Sequence, residues 1–158
     1  MPAVKIEVII NAGSGSDDKQ DLRRRLEEMF GASNINARVS LARTGAEVVE
    51  LARQAAQNDA QIIVAGGGDG TINAVAAAVI DSNKTLGILP LGTMNHLAKD
   101  LGLPLDVEGA VKTIIEGEVV HIDVGKVNDH IFLNNSSLGL YPNIVREREK
   151  HQDRKSVV

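Results

Sequence analysis

The chain has no cysteine and no tryptophan, and its aromatic content is 2%, made up of Phe30, Phe132 and Tyr141. Without Cys, neither a disulfide framework nor a thiolate metal site can form, and a reducing cytoplasm suits such a sequence. So few rings leave no platform on which the bases of a single strand could stack. Positive charge is short as well: 17 Lys and Arg stand against 21 Asp and Glu, for a net charge of -4. This argues against a nucleic-acid binder that relies on a basic surface. No apolar run approaches the ~18 residues of a membrane span. The first residues lack the basic region and long apolar stretch of a signal peptide. What is present is ordinary for a soluble globular domain: 158 residues, 43% hydrophobic and 24% charged. That length suits about one domain and can bury a real core.

Short β-branched runs alternate with amphipathic stretches. "VKIEVII" (4–10), "ARVSLA" (37–42), "QIIVA" (61–65) and "TLGILP" (85–90) read as strands. Residues 17–30 put Leu22, Leu26, Met29 and Phe30 on one helical face, with Gly31 as the stop. Residues 44–56 do the same with Val48, Ala52, Ala55 and Ala56, and residues 70–81 form a small-residue helix suited to close packing on a sheet. Two more helices are expected over 93–102 and 106–117, split by Leu103-Pro104. The β-α-β-α-β-α-β-α order implies an α/β fold, a parallel sheet with flanking helices. The rhythm then breaks. Residues 118–127, the turn at Asn128-Asp129 and residues 130–140 read as two strands with no helix between them. Two strands are marginal alone. This exposed hairpin must pack on the α/β layer, pair with a second copy in a homo-oligomer, or fray.

In a parallel α/β sheet, ligands gather at the carboxyl ends of the strands. Three loops fall there: "NAGSGS" (11–16), "GGGDGT" (66–71) and "PLGTMN" (90–95), with Arg43-Thr44-Gly45 as a fourth contributor. Glycine admits a ligand to the backbone and permits positive φ. A following helix adds unpaired N–H groups and partial positive charge. Such loops can hold phosphate oxygens without a lysine. Each alone also fits a plain turn, with Thr93 as the N-cap in the last. Neither G-x-x-x-x-G-K-[ST] nor a clean G-x-G-x-x-G occurs. The signal is the coincidence at one edge. Asp69 stands out there, because a carboxylate beside a phosphate should repel it. Two readings account for it. It caps the helix beginning near Gly70, or it holds Mg²⁺, directly or through water, and the metal meets the phosphates.

"GGGDGTINAVAAAV" followed by "LGILPLGTMNHLAKDLGLP" resembles the diacylglycerol kinase catalytic domain family. The family's N-P-x-S-G, Thr-Gly, G-G-D-G-T-x-N and P-x-G-T-x-N-x-x-A stand here as Asn11 to Gly15, Thr44-Gly45, Gly67 to Asn73 and Pro90 to Ala98, with Ala12 in place of the Pro. The match runs through essentially the whole chain. It implies an N-terminal ATP-binding domain of the NAD kinase/diacylglycerol kinase-like type over 1–118. It also implies that 119–158 are the first strands of a truncated antiparallel β domain. By resemblance, the γ-phosphate of ATP goes to the hydroxyl of a lipid such as diacylglycerol, with Mg²⁺ present. The nucleotide-binding set it implies is Asn11, Ala12, Gly13, Ser14, Gly15, Thr44, Gly67, Gly68, Asp69, Gly70, Thr71, Ile72, Asn73, Gly92, Thr93 and Asn95. Asp69 would also be the catalytic and metal-linked residue. Gly68 and Gly92 are expected against phosphates, in conformations that a Cβ would oppose. The family's catalytic base and further metal ligands lie past Val158, so this chain alone is expected to hold nucleotide without turning it over. A cytoplasmic protein peripheral to the membrane, meeting a membrane surface transiently, completes the expectation.

An NAD kinase-like enzyme shares G-G-D-G-T, but its next strand leads into a Gly-Phe-Leu type segment rather than "PLGTMNHLAKDLGLP". A nucleotide-binding module without turnover is the rival from another class. No G-x-S-x-G elbow supports a serine hydrolase. His121 and His130 could meet across the hairpin, but strand-surface histidines are the plainer reading. The "NNSS" sequons matter only on secretion. The charged tail at 145–158 reads as solvated, with peripheral membrane contact as the sharper alternative.

Overall fold

The β-branched runs form the centre of the molecule. The computed structural model describes residues 4–13 and 16–133; Ser14, Gly15, the expected strand past residue 133 and the tail at 145–158 lie outside the described residues. Strands β1 (Lys5–Asn11), β2 (Asn36–Ala42), β3 (Ile62–Gly67) and β4 (Thr85–Pro90) pair in parallel in the order β2-β1-β3-β4. β1 and β3 are interior strands with both faces covered, which is why they read as nearly unbroken apolar runs. Along β1, Ile6, Val8 and Ile10 enter one core and Ile9 the other.

Helices α1 (Ser16–Ala32) and α5 (Val107–Glu116) cover one face of the sheet. They bring Leu26, Phe30, Ala110 and Val111 onto Val8, Ile10, Val64 and Leu89. Helices α2 (Gly45–Gln57) and α3 (Asp69–Val79) cover the other, setting Val48, Ala52, Ile72 and Val75 on Ile9, Ile63 and Ala65. Each fully buried aliphatic side chain contributes about 1.5–3 kcal/mol, so these two layers hold the site in place. The short α4 (His96–Asp100) adds Leu97 to the second core.

Most elements agree with expectation within a residue or two, the usual scatter of helix and strand ends. Three differ for a physical reason. α1 runs past Gly31, and the turn is made by Asn34 at φ 56. There the N–H of Asn34 donates to the Gly31 carbonyl at 3.0 Å and that of Ile35 to the Phe30 carbonyl at 3.1 Å. Asn accepts this left-handed position, and it lets Ile35 pack on the core around Phe30. The helix expected over 93–102 forms only over His96–Asp100, because Asn95 holds the preceding residues in a turn. Gly102, at φ 66, closes α4 with the same paired bonds, Gly102 N–H to Lys99 and Leu103 N–H to Ala98 at 3.0 and 2.8 Å.

The third difference is the hairpin. β5 (Gly125–Val127) and β6 (His130–Phe132) are antiparallel and joined by Asn128 and Asp129, both at positive φ (46 and 66), as a two-residue hairpin turn requires. Residues 118–124, expected as the start of the first strand, are exposed and unpaired among the described residues. Their strand pattern has no neighbouring strand to pair with. The hairpin rests on α3, and Leu133 reaches the α2–α3 core. His130 bonds through Nδ1 to the Asn128 carbonyl at 2.9 Å rather than pairing with His121.

Candidate functional site

From β1 the chain moves outward to β2 and returns past β1 to β3. The helices that follow β1 and β3, α1 and α3, lie on opposite faces. A crevice therefore opens between the carboxyl ends of these two strands, the position at which open α/β sheets take ligands. Asn11 ends β1 there. Its Nδ2 donates to Thr71 Oγ1 at 3.1 Å, and its Oδ1 accepts the Gly13 N–H at 3.1 Å. Ala12 is fixed through its own N–H to the Ala42 carbonyl at 2.7 Å, which ties the first loop to the end of β2.

The second and third loops are locked together. The Leu91 N–H donates to the Gly67 carbonyl at 3.0 Å. A Cβ on Gly92 would overlap the Gly68 Cα. A Cβ on Gly67 would come within 2.6 Å of Thr71 Cβ and Oγ1. These glycines are required by protein neighbours. Gly68 differs from expectation: its φ is -82, and a Cβ there would meet only the Gly92 Cα at an ordinary 3.5 Å. Gly70 is exposed with open space around it. Ile72 is fully buried in the α2–α3 core, so it offers only its backbone.

Asn95 builds the third loop from inside. It is 6% exposed and left-handed at φ 50. Its Oδ1 accepts the Gly92 N–H at 3.0 Å, and its Nδ2 donates to the Gly92 carbonyl at 2.8 Å. Thr93 is exposed and does not cap α4; Asn95 holds the cap position, and its side chain faces backward instead of capping.

The cap comes from Asp69. One of its two readings made it the cap of the helix starting near Gly70, yet it is the first residue of α3, whose N-cap is Gly68. Its carboxylate crosses to α4: Oδ2 accepts the His96 N–H at 3.0 Å and Oδ1 the Leu97 N–H at 2.9 Å. An anion is favoured at a helix start. Burial pushes the Asp69 carboxyl up, but the amides of Leu97 and His96, aided by the His96 charge, outweigh it and hold the group below the usual carboxylate range.

Helix starts around the sheet differ in one respect. Thr44 Oγ1 caps α2 by accepting the Glu47 N–H at 3.2 Å, while Glu47 Oε2 takes the Arg43 N–H at 2.7 Å. Asp106 caps α5 through the Gly109 N–H at 2.7 Å. α3 begins on Gly68 with no side-chain cap at all. Asn73, expected in the nucleotide set, turns its Nδ2 to the Ile131 carbonyl of β6 at 3.1 Å.

A family model, the diacylglycerol kinase catalytic domain, matches residues 5–127. The chain belongs to the diacylglycerol kinase catalytic domain family. Among relatives of the family, "Probable lipid kinase YegS-like" from Klebsiella pneumoniae (strain 342) is 35% identical over 150 residues, 93% of this chain and 50% of that protein. A "Diacylglycerol kinase" from Staphylococcus saprophyticus is 33% identical over 138 residues, 85% of this chain and 45% of its own length. A crystal structure of a diacylglycerol kinase from Bacillus anthracis str. Sterne superposes with a TM-score of 0.71 at 25% identity, covering 82% of this chain and 50% of that one. The chain thus spans about half the length of these relatives.

The loops that carry the motifs of this kinase family gather at the carboxyl edge of the sheet. What the motifs missed is the reach of Asp69 to α4 and of Asn73 to β6. Neither partner lies within local range, and no nearby residue signals either bond.

Proposed function

We propose that this chain holds Mg-ATP for a lipid kinase that transfers the γ-phosphate to a lipid hydroxyl such as that of diacylglycerol. The observation that carries this reading is the uncapped start of α3, opening on the crevice between β1 and β3. The first amides of a helix have no partner within it, and phosphate oxygens are suited to satisfy those of Asp69, Gly70 and Thr71. Gly68 and Gly70 leave room for close approach.

Asp69 fits a role beside Mg²⁺. Each of its oxygens uses one acceptor position on an amide and retains another. Among the described residues no group of three or more His, Cys, Asp or Glu is arranged to hold an ion. An ion here would be completed by phosphates and water, as Mg²⁺ prefers. When bound, it would neutralise charge on the phosphates undergoing transfer.

Transfer also needs a base at the acceptor hydroxyl, supplying about 10²–10⁴ in rate, and an acceptor held in line, supplying about 7–11 kcal/mol. On this reading both belong to the half of the relatives' length that this chain does not span. No described helix is long and apolar enough to cross a membrane, and a lipid acceptor would be met at the membrane surface. Calorimetry with Mg-ATP, and with ATP plus a chelator, tests the first half: metal-dependent binding is expected, and no binding overturns the reading. Radiolabel transfer to diacylglycerol vesicles tests the second. Robust transfer by this chain alone would overturn the division of labour.

A further inference from the structure

Asn73 lies one helical turn after Asp69, so the two side chains share a face of α3. Each clamps the backbone of another element. Asp69 takes two amides of α4, and Asn73 gives its amide to the carbonyl of Ile131 in β6, 58 residues along the chain. Among the described residues the hairpin has little else to hold it. Its ladder is three residues long, residues 126–130 are exposed, and its contact with the sheet layers runs through α3 and Leu133. So short a hairpin does not hold itself together in water.

The other end of the Asn73 amide is informative. Its Oδ1 is buried with no hydrogen-bond partner among the described residues. A buried acceptor left unpaired is unfavourable, and α3 alone would be better served by an aliphatic residue such as its neighbours Val75 and Val79. Asn at this position makes sense for its donor, and the donor goes to the hairpin.

We propose that Asn73 is a positioning residue: it seats the β5–β6 hairpin on α3, so that the place of the hairpin and the state of the Gly67–Asp69 loop are linked through one helix. The link to ligand occupancy rests on the nucleotide reading above. Linkage is reciprocal, so a ligand at the start of α3 tightens the hairpin, and loss of the seat weakens the ligand.

The test is amide hydrogen exchange on the full 158-residue chain. Asn73→Asp removes the donor at constant size, and Asn73→Leu removes both polar atoms, which guards against a variant that fails to fold. Exchange over residues 125–133 is expected to rise at least tenfold in both, with β1 and β3 unchanged. Mg-ATP is expected to slow hairpin exchange in the parent chain and to lose that effect in both variants. A merely structural Asn73 would not move this ligand-dependent signal. Unchanged hairpin exchange in the variants overturns the seat, and equal protection by Mg-ATP in variant and parent overturns the linkage. If calorimetry finds no Mg-ATP binding to the parent, the functional reading and the linkage fail together, while the exchange of the variants still decides the seat.

Discussion

Gly92 rests directly on Gly68. A Cβ on Gly92 would overlap the Gly68 Cα and come within 3.1 Å of its backbone nitrogen. The loops that follow β3 and β4 are therefore one packed unit, and the two glycines have different reasons to be glycine.

Gly92→Ala should lower unfolding free energy by about 1–3 kcal/mol, the usual cost of forcing atoms into a filled space. Gly68→Ala has room for its methyl and should cost under about 1 kcal/mol, the loss from a weaker N-cap. Urea unfolding of both variants measures the contrast. On the nucleotide reading, Gly68→Ala should nonetheless weaken Mg-ATP at least tenfold by calorimetry. Undiminished binding would show that no phosphate approaches that backbone.

Asp69→Asn is not the neutral exchange that an ordinary N-cap would allow. The carboxylate presents an oxygen to each of two N–H groups. Asn offers one oxygen and turns an NH₂ toward the other amide. A loss of about 1–2 kcal/mol is expected, from one charge-assisted bond removed and one donor left facing a donor. Thermal unfolding reads it directly, and an unchanged midpoint would mean that Asp69 does not hold α4. Any fall in nucleotide affinity has to be judged against this stability loss.

Acid should erase the same contribution. The folded-state carboxyl of Asp69 lies below the ordinary range. The stabilisation is therefore complete above the unfolded value of about 3.9 and is lost as pH falls through the lower, folded one. The stability gap between the parent chain and Asp69→Asn should narrow as pH falls below about 4. Asp59, whose carboxyl is also drawn down, first by its bond to Lys5, is present in both proteins and cancels. A gap that widens below about pH 4 would reverse the assignment.

The layers of the fold were legible because burial leaves a periodic trace. β1 and β3 are covered on both faces and read as apolar runs, and α1 carries Leu22, Leu26 and Phe30 at helical spacing. The edge at which the loops gather followed from the parallel order. The inner wiring of those loops did not. His96 and Leu97 lie 27 and 28 residues from Asp69, and no local pattern marks a carboxylate that caps a different helix. The sequence marked Gly31 as the end of α1, and tertiary packing overrode it: the turn at Asn34 is the one that delivers Ile35 to the core. Residues 118–124 carry a strand pattern, but a strand exists only with a neighbour, and among the described residues β5 has β6 alone.

The contact between Gly68 and Gly92 also sets an order of events at the ribosome. A nascent chain that has emerged only as far as α3 already carries its whole glycine-rich turn. It still lacks the β4 backbone that pairs with β3 and the α4 amides that engage Asp69. Contacts this distant in sequence form only after their loop-closure entropy has been met. A small molecule that binds this edge is therefore expected to lend its full stability only once synthesis has passed Leu97; shorter nascent chains hold the β2-β1-β3 part of the sheet without β4.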